Sequence, residues 1–386
     1  MTTFPDGVPV LTDGRVTLRA HRAEDLEGMY EQCIDPETQR WTSVPSPYTR
    51  DDAAQFLARR AEVWESATAS SFAVEADGGA GPSRFAGSIG IHNVGSGIGT
   101  IGFGAHPGVR GRGVMTAAVR LIVSWALDVQ GLSTIVWEAI EGNTGSLRVA
   151  WKSGFTFEGP TRGRLPHQGQ LVDGWRGTLL ATDSRSPTSR WLEPVVLEDD
   201  RVRLRAIRRD DEQRYLETNN DTESLRWLGT IPFPRDAASF RRHFARRLVG
   251  NATGASIEWV VADLTDDRYV ATVNLFGLHS LDYLSAEVGY RTHPDARGRG
   301  VLRAGLRLAL GHAFTSVDAG GLGLQRVSLG AGDGNLGSQR LARSLGFTET
   351  GRDRQCYDLS DGSVVDLVRF DLLRPEFDAS TTSAHP

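Results

Sequence analysis

The chain has 386 residues, which is long for one ordinary domain and about right for two. With 39% hydrophobic and 24% charged residues, it has the composition of a globular protein and not of a disordered or fibrous one. A net charge of −5 at pH 7 argues against a nucleic-acid or anionic-membrane partner, and no apolar run is long enough to span a bilayer.

The first residues lack the basic and then apolar pattern of a signal peptide. The two cysteines, Cys33 and Cys356, are too few for a disulfide framework and lack the spacing of a zinc cluster. These features predict a cytoplasmic protein without a bound metal.

The predicted elements of the first 180 residues form an α/β pattern. Apolar alternation predicts a first strand at 16–20, and helical spacing predicts a helix from 26 and another that begins after Thr49. The later elements are strands at 71–76, at 85–92 and up to His106, a long helix from Val114 to Val129, a strand at 135–139, a helix ending near Lys152 and a hairpin turning at Asp173-Gly174. This order predicts a mixed sheet flanked by helices.

The second half of the chain repeats the first. Arg15 corresponds to Arg201, and His-Pro-x-x-Arg-Gly-Arg-Gly begins at His106 and again at His293. Asn-x-x-Ser followed by Gly-Phe occurs at 143–155 and again at 335–347. A duplication at this distance predicts two domains with separate cores, at 1–182 and 195–376. The polar stretch 183–194 is predicted to be a linker, and 377–386 a disordered tail.

The Arg-Gly-Arg-Gly segment stands between a predicted strand and a long helix in both copies. Glycines there leave backbone N–H groups open at a helix N-terminus, which is a geometry that binds phosphate. The alternative is a purely structural turn. No Gly-Lys-Ser/Thr follows, so the segment is not a Walker A motif, and it lacks the third glycine of a dinucleotide fingerprint.

The segment resembles motif A of the Gcn5-related N-acetyltransferase (GNAT) family, and Asn-x-x-Ser…Gly-Phe resembles motif B of its RimJ/RimL-type members. The resemblance covers nearly the whole chain, twice. It implies two tandem GNAT domains, each with a splayed mixed sheet that admits acetyl-CoA. The family prefers a small residue where Met115 and Leu302 stand, and the tyrosine acid of many members is replaced by Ala150 and Ala342.

The resemblance also implies which residues bind acetyl-CoA. Backbone groups at the end of one strand pair with the pantetheine arm, the glycine turn holds the pyrophosphate, and an asparagine contacts the cofactor. In the first copy these are Phe103, Ala105, Arg110, Gly111, Arg112, Gly113, Val114 and Asn143. In the second copy they are Tyr290, Thr292, Arg297, Gly298, Arg299, Gly300, Val301 and Asn335.

Attack of an amine on a thioester needs a proton acceptor, and a hydroxyl helps the thiolate to leave. Glu287 stands where many relatives carry the base, while the first copy has Thr100 there and Glu138 as a substitute. Ser146 and Ser338 occupy the place often assigned to the thiolate, although helix capping is an alternative role. A solvated strand residue is the alternative for Glu287 and Glu138.

A second acidic difference is expected at the final hairpin, where Asp366 is aligned with Thr178. Together these residues predict an N-acetyltransferase that moves an acetyl group to a primary amine, on a protein N-terminus or a small molecule, within a ternary complex. The alternative is an acyl-CoA-binding or regulatory pseudo-dimer in which at least one copy is non-catalytic. The expected assembly is a monomer with an internal pseudo-dimer, or a weak homodimer.

Overall fold

The computed structural model describes residues 7–65, 69–76, 84–228, 234–278 and 284–382. The chain divides into two compact units, Met1–Thr188 and Ser189–Pro386. Each unit is an eight-stranded mixed sheet flanked by helices, as the sequence predicts. Within the described residues, no helix is both long and apolar enough to cross a membrane.

The described part of the first unit contains eight strands and five α-helices. Its strands are β1 (Leu11–Thr12), β2 (Val16–Arg19), β3 (Ser70–Ala76), β4 (Arg84–Gly95), β5 (Ile98–Ala105), β6 (Thr134–Ile140), β7 (Thr156–His167) and β8 (Gln170–Leu180). Its helices are α1 (Leu26–Ile34), α2 (Pro36–Trp41), α3 (Arg50–Glu65), α4 (Val114–Ser124, continued by a π-helical turn Trp125–Val129) and α5 (Thr144–Lys152).

The second unit repeats this order and adds a helix at its end. Its strands are β9 (Leu197–Glu198), β10 (Val202–Arg205), β11 (Ser256–Asp263), β12 (Tyr269–Phe276), β13 (Ser285–Thr292), β14 (Arg326–Gly332), β15 (Thr348–Asp358) and β16 (Val364–Leu373). Its helices are α6 (Glu212–Asn220), α7 (Thr222–Leu228), α8 (Ala237–Ala252), α9 (Val301–Phe314), α10 (Leu336–Ser344) and α11 (Arg374–Thr382).

Both sheets have the same topology. The strand order is β1-β2-β3-β4-β5-β6-β8-β7 in the first unit and β9-β10-β11-β12-β13-β14-β16-β15 in the second. Neighbouring strands are antiparallel except for one central pair in each sheet, β5 with β6 and β13 with β14. Because parallel neighbours need a crossover, α4 and α9 pass over one face of their sheets between these strands.

β11 is buried on both faces because helices cover both sides of the sheet. In β11, residues 257–262 are all buried. Trp259 and Val261 pack into the core cluster that includes α9, while Val260 and Ala262 pack with residues of α6 and α8. This strand therefore lacks the polar alternation of a strand with one solvated face.

The predicted turn of the last hairpin in the first unit is wrong. The last hairpin of the first unit turns at Gln168 and Gly169, both with positive φ, and not at Asp173-Gly174. Asp173 lies inside β8, where its carboxylate accepts the backbone N–H of Gly163 at 2.8 Å beside a β-bulge in β7. That bulge could not be read from the turn-like pair of residues.

The predicted disordered tail is helical as far as Thr382. Phe377 is buried and its ring lies 5.3 Å from that of Phe314, so a core contact fixes α11. The segment that joins the two units is also shorter than the predicted linker 183–194. Arg185 pairs with Asp128 at 2.5 Å in the first unit, and Leu192 belongs to the core of the second.

We expect residues 189–386, expressed alone, to unfold cooperatively and residues 195–386 to be less stable. The shorter fragment loses buried Leu192 and the two hydrogen bonds from Arg190 to the carbonyl oxygens of Gly321 and Leu322. Loss of a buried leucine side chain costs about 2–5 kcal/mol. Urea denaturation of the two fragments measures the difference, and equal midpoints would contradict this account of the boundary.

Candidate active site

The central parallel strands of each sheet separate part of the way along their length. In the first unit, pairing of β5 with β6 stops at Ile101 and Trp137, although the strands continue to Ala105 and Ile140. In the second unit, pairing stops at Glu287 and Ser328. The separation leaves a wedge lined by strand backbone, which an extended amide chain can enter as an added strand does.

The glycine turn lies between the separated strand and the helix that follows it. Gly111 and Gly113 have φ values of +74° and +80°, and Gly298 and Gly300 have +73° and +76°. Side chains other than glycine rarely adopt this conformation. A Cβ at Gly111, Gly113 or Gly298 would meet no atom within 4 Å, so the turn faces open space.

Gly113 and Gly300 are also the N-cap residues of α4 and α9, and neither helix start has a side-chain cap. The first backbone N–H groups of each helix are therefore oriented for an anion. Val114 and Val301 are buried and anchor the helix starts in their cores. The wedge and the open turn together fit the amide arm and the pyrophosphate of acetyl-CoA.

The first arginine of each turn binds a neighbouring helix through its side chain. Arg110 donates to Asp35 at 2.6 Å and to Thr38 at 2.9 Å, and Asp35 caps α2. In the second unit, Arg297 pairs with Asp221 in the same way. Burial acts to raise the pKa of Asp35, but the hydrogen bonds from Arg110 and Thr38 and the charge of Arg110 together outweigh it and hold the pKa below its usual value. The arginine side chain thus fixes the turn, and the backbone N–H groups of the turn remain available to a phosphate.

The second arginine of the turn also has protein partners in the second unit. Arg299 donates to Asp263 at 3.3 Å, and its carbonyl oxygen accepts a hydrogen bond from Arg201 at 2.5 Å. Arg112 is its equivalent in the first unit, and both arginines are exposed. These contacts brace the second turn against β10 and β11.

The motif B asparagines cap helices, and the serines do not. Asn143 and Asn335 are the N-cap residues of α5 and α10, and each amide oxygen accepts the backbone N–H of the serine three residues later at 3.1 Å. The capping role considered for Ser146 and Ser338 therefore belongs to the asparagines. Both serine hydroxyls remain available for other partners.

Each serine hydroxyl is hydrogen-bonded to a large side chain of a central strand. The indole N–H of Trp137 donates to Ser146 Oγ at 2.9 Å. In the second unit, the hydroxyl of Tyr290 lies 2.8 Å from Ser338 Oγ. Burial raises the pKa of Tyr290 to about 12, so its phenol is protonated at neutral pH.

Glu287 lies at the point where the second wedge opens. It is the last residue of β13 paired with β14, and its carboxylate is 3.9 Å from the guanidinium of Arg369. Arg369 donates in turn to Asp353 at 2.6 Å. A half-exposed carboxylate in this position has the reach and the solvent access of a base acting directly or through water.

The equivalent position in the first unit is surrounded by other polar residues. Thr100 takes the place of Glu287, and His92 on β4 is its cross-strand partner. His92 lies over Gly102, where an added Cβ would be 3.2 Å from the imidazole ring. Desolvation lowers the pKa of His92 below its ordinary value, and the charge of Glu138 opposes that shift.

Glu138 is held by two arginines. Arg164 donates to it at 2.9 Å, and Arg176 approaches to 3.5 Å. These contacts occupy one carboxylate oxygen of Glu138, which makes it a less accessible proton acceptor than His92. Nothing in the local sequence pattern marks His92 as a site residue, and only the register of β4 with β5 brings it opposite Thr100.

The alignment of Asp366 with Thr178 is wrong. Thr178 pairs with Val136 and Asp371 pairs with Ser328, so Thr178 corresponds to Asp371. Asp366 corresponds instead to Asp173. Its carboxylate accepts the backbone N–H of Gln355 at 2.9 Å beside a bulge, just as Asp173 does for Gly163. Both aspartates are structural. The acidic residue at the place of Thr178 is Asp371, which pairs with Arg326 at 2.9 Å.

Within the described residues, no three His, Cys, Asp or Glu side chains are grouped as metal ligands. The arrangement contains instead a backbone wedge, an open glycine turn, a serine hydroxyl and a proton acceptor in each unit. These parts are what acyl transfer from a thioester to an amine needs.

The family of the chain is shown by its sequence. The model of the acetyltransferase (GNAT) domain matches residues 15–156 and again residues 201–348. The chain therefore belongs to the GNAT family and carries two copies of its domain. GNAT acetyltransferases use acetyl-CoA, and the two matched regions each contain one wedge and one glycine turn.

The relatives correspond to one copy at a time. The chain is 26% identical over 187 residues to the Bacillus subtilis protein named "Putative ribosomal N-acetyltransferase YdaF", covering 47% of this chain and 95% of the relative. It is 32% identical over 91 residues to "Probable N-acetyltransferase YjcK" of the same organism, covering 24% of this chain and 48% of that protein.

Two solved structures are also similar to part of the chain. Mycobacterium smegmatis RimJ, in complex with CoA-disulfide, has a TM-score of 0.40 and 22% identity, and the match covers 46% of this chain and 88% of RimJ. The ribosomal-protein-S5-alanine acetyltransferase of Vibrio fischeri has a TM-score of 0.42 and 15% identity, covering 47% of this chain and 98% of that one.

We expect two molecules of acetyl-CoA to bind per chain, and Gly113→Asp and Gly300→Asp to remove about one site each. Aspartate disfavours a positive φ and places a negative charge where the phosphate oxygens would lie. Isothermal titration calorimetry gives the stoichiometry. Gly311→Ala is the control, because Gly311 lies inside α9 with no atom near the added methyl group. One site in the unaltered chain would contradict the expectation.

Proposed function

We propose that the chain is an acetyl-CoA-dependent N-acetyltransferase with two catalytic copies, and that each transfers an acetyl group directly to a primary amine. The observation that carries the proposal is the presence, in both copies, of the backbone wedge and the open glycine turn beside a serine hydroxyl. Their presence in both supports transfer by both over the alternative with a non-catalytic copy.

In each copy the chain's own residues have three tasks. Backbone groups of 103–105 and 290–292 would hold the pantetheine arm, and the turns at 110–114 and 297–301 would hold the pyrophosphate. Bound acetyl-CoA supplies an acetyl group already activated as a thioester. Ser146 and Ser338 would donate a hydrogen bond to the leaving sulfur.

The proton acceptor differs between the copies. In the second copy Glu287 would accept the amine proton, directly or through a water molecule, with Arg369 fixing its orientation. In the first copy His92 would do so, and Glu138 would bear on the pKa of His92 through its charge. The relative YdaF carries the name of a ribosomal N-acetyltransferase, so a protein N-terminus is the first acceptor to test. A small-molecule amine is the alternative, and a monomer or weak homodimer stays the predicted assembly.

The proposal is tested by mixing the chain with acetyl-CoA and a panel of peptides and small amines, with release of free thiol as the signal. Glu287→Gln, in a chain whose first copy is silenced by Gly113→Asp, should lower kcat by roughly 10²-fold or more and leave acetyl-CoA affinity nearly unchanged. Glutamine keeps the shape of the side chain but cannot accept a proton. Thr100→Ala in the unaltered chain is the control. Equal rates for Glu287→Gln and its parent would refute the assignment.

The pH–activity profile of the first copy should have an acidic limb that reports protonation of His92. Its lowered pKa keeps the imidazole neutral at pH 7, and activity should fall as the pH drops through a value below 6.5. With the second copy silenced by Gly300→Asp, His92→Gln should lower kcat and remove that limb. Glu138→Gln should lower the pKa of His92 further, because it removes a negative charge. Proton NMR titration of His92 measures this directly, and an unchanged pH profile in His92→Gln would exclude it as the base.

A further inference from the structure

The two copies provide a partner for the motif B serine from different strands. In the first copy the partner is Trp137 on β6, the strand that leads into α5. In the second copy it is Tyr290 on β13, the strand on the other side of the wedge. Both partners reach the serine oxygen at nearly the same distance, 2.9 and 2.8 Å.

The hydrogen-bonding residue and the apolar residue stand on opposite strands in the two copies. Trp137 pairs with Gly177 in β8, and the residue in its place in the second unit is Leu329, which pairs with Phe370 and has no polar group. Tyr290 pairs with Val273 in β12, and its place in the first unit is taken by Phe103, which pairs with Ile89. Each copy thus keeps one hydrogen-bonding partner and fills the other position with an apolar residue.

We infer that Trp137 and Tyr290 are equivalent positioning residues that orient the serine hydroxyl toward the leaving sulfur. The inference rests on the proposed function and adds the residue that makes the serine a donor. It concerns side chains that act through Ser146 and Ser338 and do not themselves touch the acetyl group.

The hydrogen-bonding capacity of the serine supports this role. Asn143 and Asn335 occupy the serine backbone N–H, so the hydroxyl is the group left for the wedge. An indole N–H can only donate, and Trp137 therefore fills an acceptor position of Ser146 Oγ. The single hydrogen of that hydroxyl is then free to point elsewhere.

Tyr290 can act in the same way. A phenol is a stronger acid than an aliphatic alcohol, and the Ser338 Oγ at 2.8 Å is nearer than the Ser338 carbonyl oxygen at 3.5 Å. The favoured direction is therefore donation from Tyr290 to Ser338 Oγ. Burial keeps the phenol protonated, because it raises the pKa of Tyr290 to about 12. Ser338 is then left with one hydrogen to donate, as Ser146 is.

In the transfer step, the amine nitrogen forms a bond to the acetyl carbon while the carbon–sulfur bond breaks. The amine gives up a proton to the base, and the sulfur gains the electron pair of the broken bond. A hydroxyl oriented by Trp137 or Tyr290 stabilises this negative sulfur by donating to it. The same donation should lower the pKa of the thiol of bound coenzyme A, which can be measured without turnover.

The test uses the full chain and compares single variants with exchanged pairs. With the first copy silenced by Gly113→Asp, Tyr290→Phe should raise the pKa of the bound coenzyme A thiol and lower kcat about tenfold. Adding Leu329→Trp, which supplies the donor from the other strand, should restore both. The thiol pKa is read from thiolate absorbance of the complex over a pH series.

The reciprocal exchange tests the first copy with the second silenced by Gly300→Asp. Trp137→Phe removes the N–H but keeps an aromatic ring, and the added Phe103→Tyr supplies a hydroxyl as in the second copy. This pair decides the matter if Leu329→Trp overfills its core. Circular dichroism of every variant separates loss of fold from loss of the donor.

Three outcomes overturn the inference. Single variants that leave the thiol pKa unchanged would show that the serine is oriented by something else, even where the amine transfer itself is observed. Pairs that fold but do not restore the thiol pKa would show that the two donors are not equivalent. A chain that binds no coenzyme A would overturn this inference and the proposed function together, whereas binding without transfer to any amine would contradict only the latter.

Discussion

The early end of pairing between the central parallel strands is the constraint on which each site depends. β5 and β6 share only the residues from Ile98 to Ile101 before they part, and β13 and β14 share three residue pairs. β5 stays paired with β4, and β6 stays paired with β8, so each separated strand keeps its outer neighbour where the sheet opens. The opening leaves strand backbone facing a wedge, and the helices that follow the two strands begin on either side of it. The turn and the motif B serine of each copy therefore lie on opposite arms of one gap.

The backbone parts of the site are the same in both copies, while the polar side chains differ. Each copy has two turn glycines with positive φ and one asparagine cap. In the second unit, Glu258 is buried beneath α8, and the charges of Arg247 and Arg291 together with His243 outweigh its desolvation and lower its pKa to about 2. The first unit has Ser71 at the strand position of Glu258 and Gly104 at that of Arg291. A buried charge needs all its partners at once, so such a network is gained or lost as a whole.

The sequence was sufficient for what depends on local pattern. The duplication, the order of elements, the glycine turns before α4 and α9 and the cap at Thr49 all follow from residues close together in the chain, and the structure has each of them. The sequence was not sufficient for cross-strand register. His92 faces Thr100 only because β4 and β5 pair in one register. Asp366 corresponds to Asp173 because the distance between equivalent residues is 186 at Arg15 but 193 in the last hairpin. Insertions and bulges shift this distance, and no local pattern records them.

Trp137 and Tyr290 contact the serine from different strands. This explains why the sequence motif predicts the serine but not its partner. A backbone contact constrains only conformation, and it therefore fixes glycine or asparagine at a given position. A hydrogen bond to a hydroxyl can be made from any neighbouring strand that reaches it, so the requirement falls on a point in space and not on a position in the sequence. Two copies that diverge under the same requirement can satisfy it from opposite sides of the wedge. The same reasoning applies to the proposed proton acceptor, which would be Glu287 on β13 in one copy and His92 on β4 in the other. Residue roles that depend on contacts between strands are therefore the hardest to predict from a single sequence.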